Sequence, residues 1–249
     1  MQRFEGRVAV ITGAASGIGR ATAERLTSEG ATVAALDLDR DGLSITADLV
    51  ETAGGTIETL PVDITDEASV ETVIDDVVAR HGRIDTLINM AGIISSTHSH
   101  TVSTEQWQRI IDVNLTGTFL VTRACLAHLL EASGNIVMAA STASLAGHPW
   151  MLAYSASKGG VLAMTKTLAV EYARQGLRVN AVAPGGITTP MSSTVRLPDD
   201  ADFSLLDRIS PLDEFRGPET VAATIAFLAS DDAAHVNGEV VRVDGATLA

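Results

Sequence analysis

Apolar residues fall along this chain in two alternating rhythms. Short runs such as RVAVITG (7–13), ATVAALD (31–37), IDTLINMAG (84–92), GNIVMAAS (134–141) and LRVNAVAPG (177–185) are close to continuous in small and branched apolar residues. That pattern suits strands buried on both faces. Between them the period lengthens. SGIGRATAERLTSEG places Ile18, Thr22 and Leu26 at helical spacing, with Gly30 suited to a C-terminal cap. ITDEASVETVIDDVVARHG sets Val70, Val73, Ile74, Val77 and Val78 on one face, with Thr65 or Asp66 as its N-cap. TIETLPVD (56–63) reads as a further strand, and helices are predicted over most of 104–131 and 153–174.

Strands alternating with helices, with no linker or composition break, predict an α/β fold with one parallel sheet covered on both faces. Residues 1–249 are read as a single domain. The segment 191–216 interrupts the alternation with Pro, Asp and scattered apolar residues, among them Val195, Leu197, Phe203 and Ile209. It is read as a flap. The chain's length suffices for one sizeable core.

Charge and cysteine narrow the function classes. Lys+Arg total 17 against 31 Asp+Glu, a formal net charge of -14. This disfavours a nucleic-acid surface. The single cysteine, Cys125, lies within the apolar stretch VTRACLAHLL and reads as a buried structural thiol in a reducing compartment. No signal-peptide pattern and no uninterrupted apolar run of bilayer length is seen, so the expectation is a cytoplasmic protein without a membrane partner. His98 and His100 in SSTHSHTV lack a third ligand, so no metal is expected.

The first candidate for chemistry is the turn TGAASGIG (12–19), between the first strand and the first helix. Glycines there let the backbone turn sharply and approach a pyrophosphate, whose charge meets the N–H groups of the helix start. Asp37, ending the second strand, stands where a carboxylate accepts from both ribose hydroxyls and repels a 2′-phosphate. Ser16 and Leu38 supply no offsetting cation, and Arg40 is read as a solvated loop residue, so NAD(H) is favoured over NADP(H). Asp63 reads either as an acceptor for the adenine amino group or as a helix-flanking acid. Asn89, Ala91 and Gly92 close the fourth strand, where tight backbone can lie along the adenosine ribose.

The second candidate is YSASK (154–158). Residues i and i+4 share a helix face, so Tyr154 and Lys158 point into one cleft. An ammonium beside a phenol stabilises phenolate, and the expectation is a lowered Tyr154 pKa and a general acid/base. Ser141, ending the strand before, can hold a substrate oxygen beside the phenol, with Thr142 and Ser144 ranked behind it. Asn114, an amide inside an apolar helical pattern, needs a task there, such as holding a water near Lys158. His148, Trp150 and Met151 lie between Ser141 and Tyr154 and can shape a substrate cleft.

Taken together, TGAASGIG, NMAG, Asn114, Ser141, YSASK, NAVAPGGITTP and NGEVVRVDGA resemble the short-chain dehydrogenase/reductase family over essentially the whole chain. The resemblance implies a Rossmann-like, doubly wound sheet of seven parallel strands, the last being VVRVDGA, in an NAD(P)-binding domain. It implies Tyr154 as acid/base and Lys158 as its partner and a ribose contact. Ser141 orients the substrate oxygen, and Asn114 takes part in a proton relay. Gly13, Ser16, Gly17, Ile18 and Gly19 form the cofactor loop, Asp37 reads the adenosine ribose, and Asp63 contacts adenine. Pro184, Gly185, Ile187 and Thr189 lie near the nicotinamide, and the family is tetrameric. Two departures stand out: Met90 replaces the family's second asparagine, and Ala246 its final glycine. The implied function is oxidation of a secondary alcohol or reduction of a ketone, hydroxysteroid-like or 3-hydroxyacyl-like. The alternative reading is a silent dinucleotide-binding regulator or scaffold.

Overall fold

Alternate residues of each strand belong to different cores. A computed structural model describes residues 2–212 and 214–249 of the chain; Met1 and Asp213, the latter within the segment read as a flap, lie outside the described residues. In β1 (Val8–Thr12), Val8 and Val10 pack into one cluster while Ala9 and Ile11 pack into the other. The same division holds in β2 (Thr32–Asp37), where Ala34 and Leu36 oppose Val33 and Ala35. This is the period-2 rule applied to a sheet with two buried faces.

The remaining strands are β3 (Thr56–Pro61), β4 (Thr86–Asn89), β5 (Asn135–Ala139), β6 (Arg178–Pro184) and β7 (Val240–Val243). All seven run parallel in one sheet, in the order β3-β2-β1-β4-β5-β6-β7. One face is covered by α1 (Gly17–Ser28), α2 (Arg40–Thr52) and α8 (Glu219–Ala229) through Leu26, Leu43, Val221 and Ile225. The other is covered by α3 (Glu67–His81), by α5 (Thr118–Glu131) and by α6 (Leu152–Tyr172), through Val70, Ile74, Val121, Cys125, Leu129 and Val161. The doubly wound sheet predicted from the alternation is present.

Local signals act as expected. Asp66, rather than Thr65, caps α3 by accepting from Ala68 and Ser69 N–H. Gly30 follows α1 at φ 95°. Cys125 is buried, and desolvation pushes its thiol far above the usual range.

One long element departs from a simple helix. α4 (Thr104–Ile111) runs into a π-helical segment, Asp112–Gly117, and then into α5. Thr104–Glu131 is long and apolar enough to cross a bilayer by length and composition. Its polar residues break up the run, so a search for uninterrupted apolar residues passes over it. In the fold its second half is a core helix against β4.

Residues 191–216 hold α7 (Pro190–Thr194) and a 3-10 turn, Phe203–Arg208. Their base is fixed by an Ile187–Arg216 bridge and by Leu212 N–H donating to Gly245 O at 3.0 Å. Gly160, Ala169 and Leu168 of α6 serve the chain's own core: a Cβ on Gly160 would meet Leu115 at 2.8 Å, and Ala169 and Leu168 join the sheet cluster. Gly159 and Val170 face outward.

Leu87 sits fully buried at the middle of β4. Leu87→Ala is expected to cost about 2–5 kcal/mol of unfolding free energy, read as a lower denaturant midpoint with an unchanged slope.

Candidate active site

Strands β1 and β4 are neighbours, but the chain leaves them toward opposite edges of the sheet, and the split opens a crevice beyond their C-terminal ends. The glycine turn lies at this point. Gly13 has φ 71°, and a Cβ there would stand 2.7 Å from Ala91 N. A Cβ on Gly19 would stand 2.0 Å from Gly13 O. Thr12 ties the two strand ends together, its Oγ1 accepting from Met90 N–H at 3.1 Å and Ala91 N–H at 3.2 Å. Met90 makes no amide contact and packs into the α1/α8 cluster, as its replacement of an asparagine predicts.

The crevice is a cleft of about 930 Å³. Gly13, Ser16, Gly17, Ile18, Gly19, Asp37, Asp63, Ala91, Gly92 and Thr189 are among the residues that line it. Asp37 also steadies the turn: Oδ2 accepts from Ala15 N–H and Oδ1 from Asp39 N–H, both at 3.0 Å. Asp63 folds on itself, Oδ1 accepting from the N–H and hydroxyl of Thr65. Thr189 caps α7. Arg40 lies outside the cleft and lines an adjoining groove with Leu38 and Asp63.

Besides Tyr154 and Lys158, four expected cofactor contacts are not among the cleft's lining residues: Asn89, Pro184, Gly185 and Ile187. The Asn89 side chain turns into the core and donates to Thr122 Oγ1 at 3.0 Å, which leaves only its backbone for the crevice. Ile187 is buried in the α1/α8 cluster. Gly185 packs on Asp244, where a Cβ would meet that residue's Cβ at 2.8 Å. Pro184 receives the Thr142 hydroxyl on its carbonyl at 3.4 Å. Leu38 lines it too, and neighbours not singled out from sequence complete the lining: Ile64, Val113 and Met191 among them.

Tyr154 and Lys158 lie on the buried side of α6, 9% and 4% exposed. The ammonium Nζ is 5.9 Å from the phenol ring centroid and donates to Ala139 O, at the end of β5, at 2.8 Å. Burial lowers the Lys158 pKa to about 8. The Tyr154 pKa is raised by burial, with a Ser141 hydrogen bond pulling the other way. This corrects the expectation of a lowered phenol: within the protein's own field, desolvation outweighs any pull from the ammonium. Ser141 accepts from Ala143 N–H at 3.1 Å as a cap, while the Thr142 and Ser144 hydroxyls donate to backbone carbonyls.

Asn114 lies in the π-helical segment, fully buried. Its Oδ1 accepts from Ile93 N–H at 2.8 Å, and its Nδ2 donates to Ile93 O at 2.9 Å and to Ser157 Oγ at 3.0 Å. Both amide protons are therefore spent on the protein, and the side chain clamps the loop after β4 to α6. Water-holding, the task read from sequence, is not the one these bonds perform. A Cβ on Gly92 would stand 3.2 Å from Asn114 Oδ1 and 3.4 Å from Lys158 Nζ, so the cleft and the catalytic candidates adjoin there.

Met151, Ala143 and Tyr154 form a small apolar cluster, with Ile94 and Val195 packed on it. Trp150 holds φ 63° and accepts Thr97 N–H at 2.7 Å. His148 is half-buried, its Nε2 without a hydrogen-bond partner among the described residues, and burial lowers its pKa. His98 meets Asp200, and no group of three His, Cys, Asp or Glu placed to hold a metal is found among the described residues.

A seven-stranded doubly wound sheet with a glycine turn at its switch point and a Tyr-Lys pair beside it defines the class. The chain belongs to the short-chain dehydrogenase/reductase family of oxidoreductases: a family profile described as enoyl-(acyl carrier protein) reductase matches residues 13–246. The 3-oxoacyl-[acyl-carrier-protein] reductase FabG of Thermotoga maritima is 43% identical over 98% of each chain. The 3beta-hydroxysteroid dehydrogenase 1 of Eggerthella lenta is 38% identical over 97% of this chain and 94% of that one. Among solved structures, a short chain dehydrogenase from Mycobacterium paratuberculosis bound to NAD superimposes with a TM-score of 0.89, at 32% identity over 98% of each chain.

Lys158→Met removes a charge that burial disfavours. Lysine's depressed pKa means the native state is penalised below pH about 8, with the penalty fading as pH rises toward the ordinary lysine range. The variant should therefore gain stability on the order of 1–3 kcal/mol at pH 7, less whatever the unpaired Ala139 carbonyl costs. Paired denaturant titrations at pH 7 and pH 10 should show that gain shrinking at the higher pH.

Proposed function

We propose that the protein interconverts a secondary alcohol and a ketone, using NAD(H), with Tyr154 as the acid/base. The observation that carries this reading is the pairing of a buried phenol with a buried ammonium, whose Nζ lies 5.9 Å from the phenol ring centroid and is anchored on Ala139 O. A phenol and an ammonium placed together inside the protein, next to a deep cleft, are hard to explain as packing.

The cleft suits a dinucleotide. Glycine at 13 and 19 lets the turn pack against the exit of β4 and on itself, where a Cβ would meet backbone, and that tight turn sets the start of α1 beside the cleft for a pyrophosphate. Asp37 keeps lone pairs free on both oxygens for ribose hydroxyls. Leu38, 70% exposed at the cleft edge, with Val62, Ile64 and Val113, offers a flat apolar slot for adenine beside Asp63. A related protein bound to NAD supports the assignment. Asp37 disfavours a 2′-phosphate by like charge, and Arg40 is turned to the outer groove. The dinucleotide, when bound, supplies the hydride acceptor or donor.

The chain's own residues do the rest. Ser141 and Tyr154 converge on the substrate oxygen, and Tyr154 receives the alcohol's proton in oxidation or gives it in reduction. Because burial holds the phenol protonated, the site at neutral pH is set as an acid toward a carbonyl, and oxidation gains as pH rises. Lys158 stabilises the phenolate whenever it forms. Asn114 keeps the loop over β4 in register with α6.

The apolar wall of Ile94, Ala143, Met151 and Val195 around Tyr154 supports a substrate with hydrocarbon next to its reacting carbon, hydroxysteroid-like or 3-hydroxyacyl-like. A net charge of -14 and a flap whose Arg196 and Arg208 are flanked by acids weigh against docking of an acidic carrier protein. Exposed Phe119, Leu152 and Val170 supply apolar surface for a tetramer. A cytoplasmic setting fits the reduced, buried Cys125.

The test is a panel of secondary alcohols and ketones assayed with both NAD(H) and NADP(H). Turnover should favour NAD(H) and hydrophobic substrates. Tyr154→Phe should lower kcat by about 10²-fold or more, with NADH affinity by fluorescence titration unchanged. A Phe variant as fast as the parent refutes the assignment.

A further inference from the structure

Three segments far apart in sequence meet over Tyr154. The loop after β4 contributes Ile94, Ser96 and His98, the turn before α6 contributes Trp150 and Met151, and the 191–216 segment contributes Val195, Arg196 and Asp200. Their contacts repeat at every second residue of the loop. Ile94 and Val195 share the apolar cluster with Met151 and Tyr154. Ser96 Oγ donates to Arg196 O. His98 Nε2 lies 2.7 Å from Asp200 Oδ1. Thr97, pointing the other way, donates its N–H to Trp150 O at 2.7 Å, which fixes the loop to the α6 side. The loop is thus a rail, pinned behind by Trp150 and offered in front to the flap.

We infer that His98 and Asp200 are positioning residues: they fasten the flap to this rail and so hold Val195 against Met151 and Tyr154, making Val195 a specificity-determining wall for the apolar group beside the reacting carbon. The inference rests on the proposed site for what the wall selects, but the fastening itself rests on contacts alone. The pair is well suited to a cover that must open each cycle. Asp200 is 81% exposed at its side chain and His98 31%, so water competes for both and the fastening is weak. The hydrogen bond from His98 is the main cause that holds the Asp200 carboxyl below its ordinary range, and the His100 ring lies 5.5 Å from that of His98. The apolar contact alone would let the flap slide, and the polar contacts fix its register.

Arg196 and Arg208 are exposed within the flap and serve as tryptic reporters of its opening. In the full-length protein, His98→Ala and Asp200→Ala should each speed cleavage at those two arginines about two- to fivefold, without moving Tm or cleavage elsewhere. The double variant should be no faster than either single one, because each breaks the same contact. Asp200→Asn, which keeps an oxygen to accept from His98, should restore most of the protection. Unchanged cleavage in His98→Ala, or additive effects in the double variant, overturns the fastening. These readings need no turnover, so loss of the proposed activity assignment through Tyr154→Phe would leave them standing. Conversely, intact catalysis with unaltered proteolysis would sink the fastening alone.

Discussion

Lys158 brings a positive charge to a place where charge is costly, and the fold around it is arranged to make that tolerable. One proton of its ammonium goes to the carbonyl of Ala139, the last residue of β5, which lies beyond the end of β4 and pairs with Val182 of β6. The side chain reaches that carbonyl only because α6 lies flat on β5 and β6, with Val161 and Ala169 in the sheet cluster. Tyr154 is one turn earlier on the same face, so fixing the lysine also fixes the phenol. Ser141 completes the geometry because it begins where β5 ends.

The other half of the site follows from topology rather than from side-chain chemistry. A parallel sheet that winds both ways must part somewhere, and here it parts between β1 and β4. Thr12 holds the two strand ends together, Gly13 lets their backbones nearly touch, and Gly19 brings α1 in close behind. Asn114 joins the halves: from the π-helical segment it clamps Ile93, two residues beyond Ala91, to Ser157, next to Lys158. The widened turn at Asp112–Gly117 marks the point where helical bonding yields to that clamp.

The sheet was legible because its central strands are apolar runs; β3 (TIETLP) only alternates, the seventh strand came from the family resemblance, and α2 and α8 went unread. The glycine turn, Asp37 and YSASK were legible because their chemistry requires particular residue types at fixed spacing. What escaped was anything settled by a partner distant in sequence. Nothing in the spacing shows that the Asn89 side-chain amide goes to Thr122. Asn114 reads as a water holder until Ile93 and Ser157 are seen to take both its protons. The direction of the Tyr154 shift was misjudged for a related reason: spacing shows that a cation is near, but only packing shows how deeply the phenol is buried. The rail at 94–98 carries no motif, since its meaning lies in Arg196 and Asp200, some hundred residues away.

In the proposed reaction Tyr154 sheds its proton where burial resists the loss, so that proposal calls for a further positive charge at the moment of oxidation. The chain has two tyrosines, which makes this directly measurable: in a Tyr172→Phe background, phenolate absorbance reports Tyr154 alone. Spectrophotometric titrations should place its midpoint above the ordinary tyrosine value in the protein by itself, and lower it on saturation with NAD+ but not with NADH. A midpoint indifferent to the charge of the nicotinamide would contradict the account.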